Sequence, residues 1–512
     1  MAYNESTTIG EIFYLTDKVL KENDVFKIGK RKLAKIFLCE LLELNTSTSD
    51  KEIESNYKIH SPRKETPADH EGFWSFVEKT YLHLEVEPKS KFTELSLRVN
   101  EDLIAVSENI AHIKKELTLL EEKKNKNGRL TADDRYYRNQ LEYFEKKNLV
   151  AKNEIVEFMT SGIKKHAISK ASVRRSFAAT FENSFLGDSP YAFGRRSHWV
   201  PVDPYDVNSL DVYSNKFMDL PISTYIELIK ECKSSPETFK KYASTYIAGI
   251  PDELPSIREK LSELVDKSHI LFSRKKTIET MLSHFEKKDY ISFVSMAPLQ
   301  IEGIFADICR EIGVSESQLD ISSLNDKLQH IEERTRSFFS FEYYSFKFPT
   351  LRNLVAHGGL VDGDLEDTAI YLMLDLLPVC ELTISKDLPI IRALEVLREA
   401  SNGKNKELLE WIDLRNTVII PAFYAAENTI TKAEAHYTSK SFWDYLEDKL
   451  KKLKDMNQVK SSESVIVAGK LKRIGIATDQ AEKFLKSSRR IAAEAIKKRN
   501  ETLEILNNHF KP

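Results

Sequence analysis

The sequence predicts an all-α, multidomain helical protein, on three observations. Gly and Pro number only 16 each in 512 residues, against usual shares of about 7 % and 5 %. That leaves little material for the many tight turns of an all-β chain. Apolar residues recur at 3–4 spacing in several long stretches, the period of a helix with one buried side. Hydrophobic residues make up 41 % and charged residues 30 %, which is enough to bury a core and too apolar for a disordered polymer. At ~150 residues per domain the length allows about three domains.

Residues 1–97 read as an N-terminal helical region. Two amphipathic helices fill residues 1–45, the second with Leu33, Ile36, Phe37, Glu40 and Leu41 at helical spacing. Residues 46–70 are polar, hold Pro62 and Pro67, and predict a loop. A short helix over 73–84 follows. Residues 98–166 carry the most regular pattern. Leu103, Val106, Ile110, Ile113, Leu117 and Leu120 form a 3-4-3-4-3 seam, broken by KKNKNGR at 123–129. Thr131 with Asp134 can cap a new helix, whose seam is Leu141, Phe144, Asn148, Ala151, Ile155 and Phe158. Two heptad helices around one polar turn predict an antiparallel coiled-coil hairpin. A scaffold or dimer arm is one use of such a hairpin, and a lever or sensor arm another.

Residues 167–285 combine a basic, aromatic, loop-rich segment with a helical region. The basic run begins just before, at 164: Lys164, Lys165, Lys170, Arg174, Arg175, Arg195 and Arg196 alternate with Phe177, Phe181, Phe185, Tyr191, Phe193 and Trp199. Cations for phosphates and rings for bases are what single-stranded nucleic acid needs, so Arg174, Arg175, Arg195 and Arg196 are candidate RNA contacts. The same aromatics could instead pack into a core. Residues 221–285 return to helical periodicity, with Pro236, Pro251 and Pro255 as breaks. Residues 286–385 form one further helical block, and 386–512 a C-terminal basic helical domain. From 440 to 512 there are 17 Lys/Arg and 10 Asp/Glu, a net of +7, which fits a polyanion contact or a solvated helix face.

Charge and composition exclude several classes. The net charge is −3, so a nucleic-acid contact would be local rather than a property of the whole chain. Neither G-x-x-x-x-G-K-[ST] nor G-x-G-x-x-G occurs, which removes the two commonest nucleotide fingerprints. H-E-x-x-H and G-x-S-x-G are also missing, and no His/Asp/Glu set has zinc spacing; no cofactor or metal is expected. His269 and His284 lack partners at ligand spacing and read as surface or core residues. Cys39, Cys232, Cys309 and Cys380 lie far apart, as free buried thiols in a reducing compartment would. The N-terminus lacks a basic start followed by an apolar run. The richest apolar window, 369–382, is interrupted by Asp375 and Pro378, so it predicts a buried helix rather than a membrane span. A cytoplasmic protein without membrane contact is expected.

The chemistry concentrates at 348–359, FPTLRNLVAHGG. On a helix Asn353 and His357 are i and i+4 and share a face. Arg352 lies about 100° round and can lean toward the same pocket. Gly358 and Gly359 offer a C-terminal stop, so the histidine would sit at a helix end beside a loop over 361–366. Metal-free RNA cleavage needs the 2′-hydroxyl deprotonated or the leaving 5′-oxygen protonated, and histidine does either near neutral pH. An arginine stabilises charge on the phosphorane oxygens by paired hydrogen bonds. Asparagine can orient the histidine or hold a phosphate oxygen. A second Arg…His match, Arg63 to His70, spans Pro67 in polar sequence and cannot be a helical site.

The stretch LRNLVAHGG resembles the R-N-x-x-x-H signature of the HEPN superfamily. APLQIEGIFADICREIG at 297–313 is similar to the helix before that motif in several bacterial groups, and LEDTAIYLMLDLLPVCELT at 365–383 resembles their closing helix. The resemblance covers about 286–385. It implies a four- to five-helix bundle, commonly dimerised with two motif helices facing one cleft. It also implies a metal-independent endoribonuclease of the kind found in toxins and antiphage abortive-infection systems. Arg352 would then be the phosphate-stabilising group, His357 the acid/base group and Asn353 the polar helper. Glu302 resembles a supporting acidic position of some groups. With one motif per chain, the site would form at a homodimer interface, acting on transfer or messenger RNA and answering to a phage-derived trigger or an inhibitory partner. Two alternatives remain: a non-catalytic dimerisation, scaffold or sensor module, and a nucleotide-binding regulator. In a purely structural reading Arg352 would pair with Glu302 or Asp307.

Overall fold

A computed structural model of the protein describes residues 3, 7–61, 66–172, 191, 203, 205–336, 338–356 and 365–509. Among the described residues the chain is all-α with no strand, apart from isolated bridges between Leu84 and Ser172 and between Ile250 and Leu254. It divides into two compact units, Met1–Asp211 and Val212–Pro512.

The first unit opens with helices Ile9–Glu22 and Val25–Leu41, started by a Thr8/Glu11 capping box and by Asp24. The second helix kinks at Gly29, whose φ is +76°, a conformation that glycine adopts without a Cβ penalty. The kink aims the Lys30 N–H at the Glu87 carboxylate, 3.1 Å away. The predicted loop over 46–70 is corrected: Asp50–His60 is a helix, capped by Ser49 and buried through Ile53 and Tyr57. Its apolar side is too sparse to stand out, and packing on neighbouring helices supplies what local propensity lacks. His70–Thr80 then buries Phe73, Trp74 and Val77, starting and ending a few residues before the predicted 73–84. These helices share one core with Leu33, Phe37, Leu38 and Tyr81.

Helices Pro88–Asn127 and Ala132–Glu157 pack side by side, joined through Gly128 at φ +75° and a Thr131/Asp134 capping box. Val106, Ile110, Ile113 and Leu120 are buried, as are Leu141, Phe144, Asn148, Ala151 and Ile155. Asn148, the polar member of this seam, donates to the carbonyls of Phe144 at 2.8 Å and Tyr205 at 2.6 Å. Asn109 also donates to the Tyr205 carbonyl, and Gln140 to that of Val207. Side-chain amides thus hold the 205–207 backbone across the helix pair, which satisfies carbonyls that burial would otherwise leave unpaired.

In the second unit, helices Ile222–Ser234, Pro236–Ala248, Ile257–Lys267 and Lys275–Glu286 lead to Tyr290–Glu311. This helix packs along Leu365–Leu382, which is buried on nearly every side. Asp375, read from sequence as an interruption, is completely buried and ion-paired with the equally buried Lys216. Asn215, Tyr343 and Tyr344 complete this polar cluster by hydrogen bonds to Asp375. Residues 389–492 close a separate core around Trp411, Tyr437, Phe442, Leu446 and Phe484. Tyr290–Glu311 is the one described helix long and apolar enough to cross a membrane; here its Phe293, Ala297, Ile301, Ile304 and Ile308 side is buried. All four cysteines are free and buried.

Candidate functional site around Arg352

Helix Phe348–Ala356 carries the arginine and asparagine of the signature. Its N-terminal end is the anchor: Phe348 is fully buried and meets the ring of Tyr344 edge-on. Pro349 is buried as well, at an early helix position where a missing N–H costs nothing. Further along, Arg352, Asn353 and Val355 are half-buried. The helix therefore stands on its aromatic end and presents its middle at the surface.

Tyr290–Glu311 supplies the partner. With Ile301, Ile304 and Phe305 turned inward, Glu302 comes to the rim of the bundle. Its neighbour Gly303 admits the guanidinium of Arg274, which a Cβ there would meet at 2.7 Å. Arg274 is thereby held by Asp307 and Gln300, and Asp307 also binds Arg310. Asp307 is thus engaged elsewhere, and Arg352 pairs with Glu302 instead: Nη2 lies 3.0 Å from Oε2.

Two further contacts complete the cluster. Arg352 Nη1 donates to Oδ1 of Asn353 at 3.2 Å. Because arginine only donates, the asparagine oxygen must face it, and no acceptor among the described residues takes the amide NH2. Lys327, on helix Leu324–Arg334, places its ammonium 3.5 Å from Oε1 of Glu302. A Ser323/Asp326 capping box starts that helix, Leu328 and Ile331 bury one side, and the Lys327 carbonyl accepts the Cys309 thiol proton. The result is a cluster of two cations and one carboxylate in which Arg352 is the most exposed member and carries N–H donors. Its net charge of +1 suits a single anionic group, and the planar guanidinium suits phosphate oxygens.

The structure brings together Glu302, Arg352 and Asn353. His357 lies outside the described residues, as do Gly358 and Gly359. Of the loop expected over 361–366, Leu365 and Glu366 belong to the following helix instead, and 361–364 lie outside the described residues. Of the candidate RNA contacts, Arg174, Arg175, Arg195 and Arg196 all lie outside the described residues. Tyr191, the one described aromatic of 177–199, is buried, hydrogen-bonded to Asp102 and packed on Phe158, which is the core use of that ring. Arg63 also lies outside the described residues, and His70 is bound to Glu54 at 2.9 Å.

His269 and His284 have local partners: His269 faces Tyr424 and Glu311, and His284 faces Asp289. Part of the C-terminal basic charge is tied up in ion pairs such as Lys449–Glu463, Lys470–Asp413 and Lys472–Glu482. Sequence reasoning missed Lys327 altogether. The spacing of Leu324, Leu328 and Ile331 marks its helix, but nothing local marks the residue its ammonium would meet. Among the described residues no group of three or more His, Cys, Asp or Glu could hold a metal ion. Comparison with protein-family models, curated proteins and solved structures finds no match for this chain.

Proposed function

We propose that this chain is a metal-independent endoribonuclease of the HEPN type, acting as a regulated toxin in antiphage defence by abortive infection. Residues 286–385 would be the HEPN-like bundle and 98–166 the coiled-coil hairpin of a cytoplasmic protein that dimerises through the bundle. The remaining helical regions would sense a trigger or hold the nuclease in check. One observation carries the reading: Arg352 sits half-exposed and oriented by Glu302 and Asn353, on a short helix whose last residue, Ala356, precedes His357 in the sequence. In this scheme Arg352 and the Asn353 amide bind the scissile phosphate. His357 takes the 2′-hydroxyl proton or protonates the 5′-oxygen as the P–O5′ bond breaks.

The test compares wild type with His357→Ala and Arg352→Ala on transfer and messenger RNA in EDTA. Loss of the acid/base group should slow cleavage by about 10²–10⁴-fold, and loss of the arginine by about 10²–10³-fold. Equal cutting by His357→Ala, or no cutting by stimulated wild type, would sink the assignment. The ion pair itself supports a second reading, a non-catalytic dimerisation or scaffold module in which Arg352 merely ties two helices together. Growth arrest on expression of wild type but not of Arg352→Ala would decide for the nuclease.

A further inference from the structure

Glu302 is shared by two cations through different oxygens. Oε2 holds Nη2 of Arg352 at 3.0 Å, while Oε1 faces the Lys327 ammonium at 3.5 Å. We propose that Lys327 is a positioning residue of the Arg352 site: by holding one oxygen of Glu302, it keeps the carboxylate from closing over the arginine. The proposal rests on the nuclease reading.

A guanidinium has five N–H groups. In this site Glu302 takes one and Asn353 another, and no acceptor among the described residues takes the rest. Those remaining donors are what a phosphodiester needs. A carboxylate and a guanidinium left to themselves prefer the two-pronged fork, with both oxygens on parallel N–H groups. That fork would cover a second donor edge of Arg352 and neutralise it. Lys327 draws Oε1 the other way, so Glu302 orients the arginine with one oxygen only. The charges then alternate, Lys327⁺, Glu302⁻, Arg352⁺, incoming phosphate⁻, with opposite signs adjacent at every step.

Lys327 cannot be the phosphate ligand itself. Its side chain is only 12 % exposed, against 36 % for Arg352, and its ammonium is turned to the far oxygen of Glu302. It acts through the carboxylate, so removing both charges should undo the harm of removing one. In Lys327→Met the carboxylate is free to fork onto Arg352. In the double variant Glu302→Gln/Lys327→Met no anion competes for the arginine.

The experiment measures RNA cleavage kinetics for wild type, His357→Ala, Lys327→Met, Lys327→Arg and the double variant. It also measures binding of each to a fluorescein-labelled, fully 2′-O-methylated RNA oligonucleotide by anisotropy. Lys327→Met should raise KM and the oligonucleotide Kd by about tenfold, the worth of one charge-assisted hydrogen bond, with kcat changed less. Lys327→Arg should restore both, and the double variant should return to within about threefold of wild type, a reversal that loss of packing would not give. Wild-type KM and Kd in Lys327→Met, or a double variant no better than Lys327→Met, overturns the proposal while leaving the nuclease reading intact. If His357→Ala cuts as wild type does, the nuclease reading falls, and the binding series then decides on Lys327 by the same two criteria. If wild type neither cuts nor binds, both are overturned.

Discussion

Glu311 offers a prediction whose size follows from the structure. It is the last residue of helix Tyr290–Glu311, and its side chain is 2 % exposed. One oxygen accepts the Ile390 N–H at 3.3 Å, at the start of helix Pro389–Ser401. The other has no hydrogen-bond partner and lies 3.7 Å from Nε2 of His269. Burial pushes the carboxyl from an ordinary 4.5 up to about 7, with the Ile390 N–H pulling the other way. A group whose folded value is raised stabilises fully below its unfolded value and loses that contribution as pH rises through the folded value. Stability should therefore fall between pH 4.5 and 7, by about 3 kcal/mol at 1.36 kcal/mol per pH unit, and stay low above that.

Glu311→Gln removes this loss. The amide oxygen still accepts from Ile390, and the amide NH2 can face His269. Glu381 is likewise pushed up to about 7, by burial first and then by Asp219; its contribution is common to both proteins and cancels. Urea unfolding followed by far-UV circular dichroism is the assay. At pH 8.5 the variant should gain about 2–3 kcal/mol, a midpoint shift of about 1 M for a slope near 2–3 kcal/mol/M. At pH 5 the two proteins should agree within about 0.5 kcal/mol. An equal gain at both pH values would mean that Gln simply packs better, and no gain at pH 8.5 would refute the burial argument.

Three other outcomes are expected. Lys216→Met leaves Asp375 buried and unpaired and should cost about 3–5 kcal/mol in urea unfolding; adding Asp375→Asn should recover part of that, and a double variant no more stable than the single one refutes the pairing. Asn148→Leu removes a hold on the Tyr205 carbonyl, so amides of 205–209 should lose protection in hydrogen-exchange mass spectrometry; unchanged exchange would show that Asn109 and Gln140 suffice. Burial pushes the thiols of Cys39, Cys232, Cys309 and Cys380 up, to about 11 for Cys232 and Cys309. Ellman's reagent at pH 8 should therefore find no fast thiol in the native protein and four after unfolding; one rapid equivalent in the native state would contradict their burial.

What the sequence determined by itself is what has a period or a local motif. The helical class came from 3–4 spacing and few glycines. The long helix pair was legible because its seam and its Thr131/Asp134 cap are local, although its first helix starts at Pro88 rather than near 98 and runs through the expected break at 123 as far as Asn127. The proximity of Arg352 and Asn353 followed from adjacency. Helix Asp50–His60 stayed hidden because its buried side is nearly confined to Ile53 and Tyr57.

The tertiary structure decided everything that joins distant residues. Glu302 and Arg352 are 50 residues apart, and Lys216 and Asp375 are 159 apart. A helical period says which side of each helix is buried, but not which helix lies against it or at what height. Glu302 could equally have been a solvated carboxylate, Lys327 a surface lysine and Asp375 a flaw in an apolar run. Close packing at fixed crossing geometry selects one set of neighbours. Burial then makes an unpaired charge so costly that Asp375 has to find Lys216.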